Sequence, residues 1–198
     1  MRLPPTPANS AAPPSRAWTL KAENVVSELR RLSQGPNLQL LEVQRWSAEV
    51  RAVLLMKTQT LVRVPGQAPT LLGPVVAGFR YHERWLREAP IPWEVMTILD
   101  PVHAFHPSIA PSGGLCLGHP PANFSVESVF HLAWAGVVFN MRIVNTIDWQ
   151  VFRPEAAAYV RANQARFPIT RRGLMEPPEA APSQPAQGQQ SSSHERQP

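Results

Sequence analysis

The residues of this chain whose types and spacing could do chemistry are gathered in one stretch, Phe105-His106-Pro107-Ser108-Ile109-Ala110-Pro111-Ser112-Gly113-Gly114-Leu115-Cys116-Leu117. It contains Cys116, the only cysteine among 198 residues. A thiol attacks as thiolate, so a reactive cysteine needs partial exposure and groups that stabilise the thiolate or the oxyanion it creates. Outside such a setting a free cysteine is a small buried hydrophobe. Spacing alone also offers a metal reading. His103-x2-His106 and Cys116-x2-His119 are two pairs separated by nine residues, and two such pairs suit tetrahedral zinc. One cysteine with three histidines is an uncommon structural set, and the loop holds no further ligands.

The elements around this stretch must position it. Val25, Val26, Leu29 and Leu32 fall at helical spacing and predict a first helix over about 20–33, stopped by Gly35-Pro36. Strand-like runs follow at 38–46, 49–57, 60–64 and 71–81, the last with a bulge expected at Gly73-Pro74. A turn at 87–92 leads to another strand at 93–99. Residues 101–125 then hold five prolines, three glycines and three histidines. A long irregular segment inside a compact domain is usually functional. A helix is expected over 126–144 with Ser125 as N-cap, and a second from Pro154-Glu155 to about Arg166. Strands segregated from helices imply an α+β fold: an N-terminal helix, a four-stranded antiparallel meander, the loop, then two helices.

Composition bounds the rest. One cysteine excludes an internal disulfide framework and any Cys-rich metal cluster. Of 23 prolines, five lie in 1–16 and five in 174–198. The expectation is a disordered arm at 1–17, a domain at 18–170 with its core over about 20–168, and a disordered tail at 171–198. The formal charge is +5 and the pI about 10.3, carried by 17 arginines against Lys21 and Lys57. No run of five basic residues occurs, so nucleic acid is not an expected partner. The opening residues lack an apolar signal segment, and no run of about 18 apolar residues predicts a membrane span, so the expected location is cytoplasmic.

The central stretch resembles the active-site region of ubiquitin-conjugating enzymes. That family shows His-Pro-Asn and then Cys-Leu, the cysteine eight residues after the asparagine, with a glycine turn between. Here His106-Pro107-Ser108 precedes Cys116-Leu117 by the same interval, and Gly113 sits in the turn. Phe124-Ser125 stands where the family has Trp-Ser-Pro. Ala89-Pro90-Ile91-Pro92 is a looser match to its Tyr-Pro-x-x-Pro-Pro turn, and Pro154-Glu155 matches a later helix start. The element order agrees over about 20–168.

The resemblance implies that Cys116 accepts a ubiquitin-like modifier from an activating enzyme as a thioester and passes it to an amine of a target protein. No cofactor is implied, because the thioester already stores the activation energy. The first helix, with Arg30 and Arg31, is the region the family uses to dock the activating enzyme. His106, Pro107 and Gly113 shape the loop; the simplest role for His106 is to fix it by hydrogen bonds. Ser108 replaces the asparagine that supports the oxyanion, and loss of one such donor costs ~10²–10³ in rate elsewhere. His119 is the compensating group this implies, as oxyanion donor or proton acceptor. Asp148, between the late helices, falls about two residues from the position where the family often keeps an acidic residue that lowers an incoming lysine's pKa, which implies the same role for it; otherwise it is a connection residue. A histidine near the cysteine is similar to divergent bacterial conjugating enzymes, which implies a bacterial, antiphage-type conjugation system. Inactive members of the superfamily act as binding scaffolds, and Ser108 keeps that alternative open.

Overall fold

Ser15 opens the first helix by accepting a hydrogen bond from Trp18 N at 3.2 Å, the N-cap arrangement that satisfies an otherwise orphaned backbone donor. Helix α1 (Arg16–Leu32) buries Trp18, Ala22, Val25, Leu29 and Leu32, spaced four and three apart along one stripe. It closes with Arg30 and Arg31 in its last turn, where cations favour the helix dipole. The computed structural model describes residues 14–177. The remaining elements are β1 (Leu38–Arg45), β2 (Glu49–Met56), β3 (Thr60–Val62), β4 (Thr70–Leu72), β5 (Val75–His82), β6 (Met96–Asp100), α2 (Val126–Val137) and α3 (Pro154–Ala162). Short 3-10 turns lie at Glu83–Leu86, Asp148–Gln150 and Gln164–Arg166.

The chain is α+β, with a four-stranded antiparallel sheet in the order β1-β2-β5-β6. Strict alternation sends Val50, Ala52, Leu54 and Met56 of β2 and Val75, Ala77, Phe79 and Tyr81 of β5 to the inner face. The stripes of α1 and α2 cover that face. Phe130 of α2 meets Phe79 with ring centroids 5.2 Å apart. Tyr81 packs on Phe124, just before α2, at 4.6 Å. A smaller second cluster joins Leu61 of β3, Phe105, Phe139 and Ala156 and Val160 of α3. No helix among the described residues is long and apolar enough to cross a membrane.

Four features depart from the sequence expectation. Helix α1 starts at Arg16, inside the segment expected to be a disordered arm, because Ser15 caps it and Trp18 is buried. The run expected as one strand with a bulge is two strands in different sheets. β4 pairs with β3 as a separate hairpin, and β5 pairs with β2. The break is at Gly73, where a Cβ would lie 2.3 Å from Thr58 O, and at Pro74, which has no N–H to give a ladder.

Helix α2 ends at Val137, not at 144. Phe139 adopts φ 60°, its N–H donates to Gly136 O at 2.9 Å, and Asn140 N donates to Ala135 O at 2.8 Å. This is the Schellman pattern, with phenylalanine at the left-handed position that glycine normally fills.

Residues 171–176, expected as the start of a disordered tail, are bound to the domain. Leu174 is wholly buried. Trp134 Nε1 donates to Arg172 O at 2.8 Å, and Asn37 Nδ2 donates to Glu176 O at 2.7 Å. Polar side chains of the domain thus capture a backbone whose own composition gave no such signal. The expected disorder at 1–13 and 178–198 lies outside the described residues.

Candidate active site

The irregular stretch between β6 and α2 is stitched to the sheet by backbone hydrogen bonds. Ile98 N donates to Gly113 O and Leu115 N to Met96 O, each at 2.8 Å, so residues 113–115 run along the free edge of β6. Ala110 N donates to Gly114 O at 2.8 Å, and Ile109 bridges Leu115, folding 109–115 back on itself. The fold-back needs Gly113: its φ is +88°, and a Cβ there would lie 2.7 Å from Ile98 O. Gly113 therefore sits at the turn of this fold-back.

Within this frame Cys116 N donates to Ser108 O at 2.8 Å. Ser108 N in turn donates to Nδ1 of His106 at 2.9 Å, and Nε2 of His106 lies 2.9 Å from Gly136 O. Since Nδ1 accepts, the proton sits on Nε2 and is donated to the helix carbonyl. His106 is fully buried, and its ring lies 4.2 Å from that of Phe139. Burial lowers its pKa to about 4; the bond to Gly136 acts in the opposite sense, and the Arg153 charge adds to the lowering. A neutral His106 thus links the loop to the C-terminal end of α2 and is not a proton carrier near neutral pH. Pro107 is buried, and its carbonyl accepts from Phe152 N at 3.0 Å. Arg153 Nε donates to Ile109 O at 3.3 Å, fastening the loop to the start of α3.

Ser108 and Cys116, both half-buried, open into one cleft of about 200 Å³, with Leu117, Gly118, Leu132, Gly136, Ile143 and Val144 as its other walls. No acidic or basic side chain lines it.

The other expected site residues stand apart from this cleft. His119 is exposed and is not among the cleft walls. Arg31 pairs with Glu127 at the first turn of α2, Nη2 to Oε2 2.6 Å. Arg30 lines a surface groove between α1 and β1 with Glu23, Val26, Ser27, Val43 and Arg45. Asp148 opens a 3-10 turn, and its side chain lies outside the described residues. The histidines and cysteine of the zinc reading do not form a ligand set among the described residues. Both ring nitrogens of His106 are engaged, His103 is exposed, and no group of three or more His, Cys, Asp or Glu among the described residues could hold a metal ion.

Sequence reasoning missed Gly136, Leu132, Ile143 and Val144. Leu132 and Gly136 are one helical turn apart on α2, so their shared face was readable. Their place beside Cys116 was not, because treating 126–144 as one helix puts Ile143 and Val144 far along its axis. No protein-family model and no curated protein matches this chain.

Proposed function

We propose that the chain is a ubiquitin-conjugating-like enzyme, in which Cys116 carries a ubiquitin-like modifier and transfers it to an amine of a target protein. In the first step the Cys116 thiolate attacks the thioester carbonyl on an activating enzyme, and that enzyme's thiolate leaves. In the second, the target amine attacks the new thioester and expels the Cys116 thiolate, while the ammonium proton passes to solvent or a base. No redox step or cofactor is required. The observation that carries the reading is the shared cleft of Cys116 and Ser108, set by the Ser108 O to Cys116 N hydrogen bond and backed by His106.

Roles follow from position. The Ser108 hydroxyl, in the same cleft as Cys116, is the proposed side-chain donor to a developing oxyanion there. His119, exposed three residues on, is available to an incoming amine. Arg30, in the exposed last turn of α1, and Arg31 beside it are the proposed activating-enzyme contacts. Asp148 is kept only as a candidate for lowering the pKa of the incoming amine. The expected setting is the cytoplasm of a bacterium, in a conjugation system of the antiphage type.

A charging assay with cognate activating enzyme, modifier and ATP tests this. An adduct cleaved by thiol reductant should form on the wild type and be absent from Cys116→Ala. A second reading, a binding scaffold with the same fold, draws on one observation: Cys116 Sγ has no hydrogen-bonded imidazole or carboxylate among the described residues. Lack of any adduct with a demonstrably active partner set would establish the scaffold over the enzyme.

A further inference from the structure

The segment that follows α3 does more than close the domain. Residues 167–176 pass over the end of α2, held by Ile169 N to Val138 O at 2.8 Å and by Trp134 Nε1 to Arg172 O at 2.8 Å. Between this strap and the helix lies a cavity of about 680 Å³, larger than the cleft at Cys116. That volume falls within the usual range of small-molecule sites.

Its lining is segregated. Trp134, Val138, Met141 and Phe167 give an apolar side. Arg142, Arg171 and Arg172 give a cationic side, with Asn140 and Thr170 as polar neighbours. One carboxylate, Glu176, also reaches the cavity, and it already accepts from Gly173 N at 3.0 Å. Arg142 and Arg171 are exposed and have no carboxylate partner among the described residues. The Arg142 backbone is held, its N–H donating to Asn140 Oδ1 at 3.1 Å, and beside Arg171 the N–H of Arg172 donates to Thr170 Oγ1 at 3.2 Å. Two guanidinium groups that form no ion pair among the described residues, against one carboxylate already engaged by Gly173 N, at the rim of an apolar-walled cavity suit a ligand with a doubly charged end and a flat, weakly polar body.

We propose that this cavity binds a nucleoside phosphate, the phosphates at Arg142 and Arg171 and the base against the Phe167–Met141 wall. The site shares no lining residue with the cleft at Cys116. Isothermal titration of the full chain with ADP, at low salt and at 0.5 M salt, is the direct test. Saturable binding is expected, weakened at high salt. Arg142→Glu and Arg171→Glu should each weaken it tenfold or more, while Arg87→Glu, outside the cavity, should not. Circular dichroism melts verify that each variant is folded. Absence of saturable ADP binding at millimolar ligand would overturn the proposal, as would an affinity equal to that of the wild type in both cavity variants. Pyrophosphate binding as tightly as ADP would overturn the role given to the apolar wall.

Discussion

Cys116 and Ser108, eight residues apart in the chain, are joined by a backbone hydrogen bond of 2.8 Å from the cysteine N–H to the serine carbonyl. The bond turns both side chains into one cleft. It depends on neither side chain, so either can be changed while the frame persists.

Ser108→Ala should therefore leave stability within about 0.5 kcal/mol, since its bonds to the His106 ring and to Cys116 N are made by its own main chain. If the hydroxyl supports the oxyanion, discharge of a preformed Cys116 thioester to free lysine should slow by ~10-fold or more. Single-turnover discharge measures this. An unchanged rate would confine Ser108 to a backbone role.

His106 governs acid stability. Its pKa in the fold is about 4, below the ordinary value of about 6.5. Between these values the unfolded chain binds a proton that the folded one does not, so stability is complete above about pH 6.5 and falls as pH drops towards 4. The loss amounts to about 3 kcal/mol for a shift of this size. Urea titrations at pH 7, 5.5 and 4.5 should show this slope in the wild type and a flatter one in His106→Gln.

Phe139 sets two effects against each other. Its left-handed backbone costs about 1–3 kcal/mol in a non-glycine residue. Its ring is fully buried against His106 and Phe167, the latter at 4.9 Å, and removing such a ring costs about 3–5 kcal/mol. Packing exceeds strain, so Phe139→Gly should destabilise the protein by about 1–3 kcal/mol in chemical denaturation. A stabilised variant would reverse that ranking.

Gly113→Ala should destabilise the loop by about 1–3 kcal/mol, because the new methyl meets Ile98 O at 2.7 Å in a backbone region that alanine resists. The same change should expose the Leu115–Met96 pairing to faster amide exchange, which hydrogen exchange reads residue by residue.

Leu174→Ala tests the strap. Its side chain is wholly buried, so a loss of about 2–4 kcal/mol is expected in thermal or urea unfolding. A change under about 0.5 kcal/mol would mean that the strap is only loosely attached.

Local chemistry made much of this protein legible in its sequence. Alternating apolar residues specified the faces of β2 and β5, the stripe of α1 marked its buried side, and Ser125 announced the start of α2. The interval from His106 to Cys116 and the glycine at 113 pointed to one loop as the candidate site. Such signals are short-range: they depend on side-chain period, caps and turn geometry within a few residues. Tertiary structure decided the rest. Gly73 separates two strands because Thr58, across a turn, leaves no room for a Cβ. Helix α2 stops at a phenylalanine because the ring finds His106 and Phe167, so burial offsets an unfavourable backbone. Residues 171–176 are ordered because Asn37 and Trp134, distant in the chain, supply donors for them. The same long-range packing brings Leu132, Ile143 and Val144 beside Cys116 and leaves His119 exposed outside that cleft. Which residues share a cleft depends on contacts that no local pattern encodes.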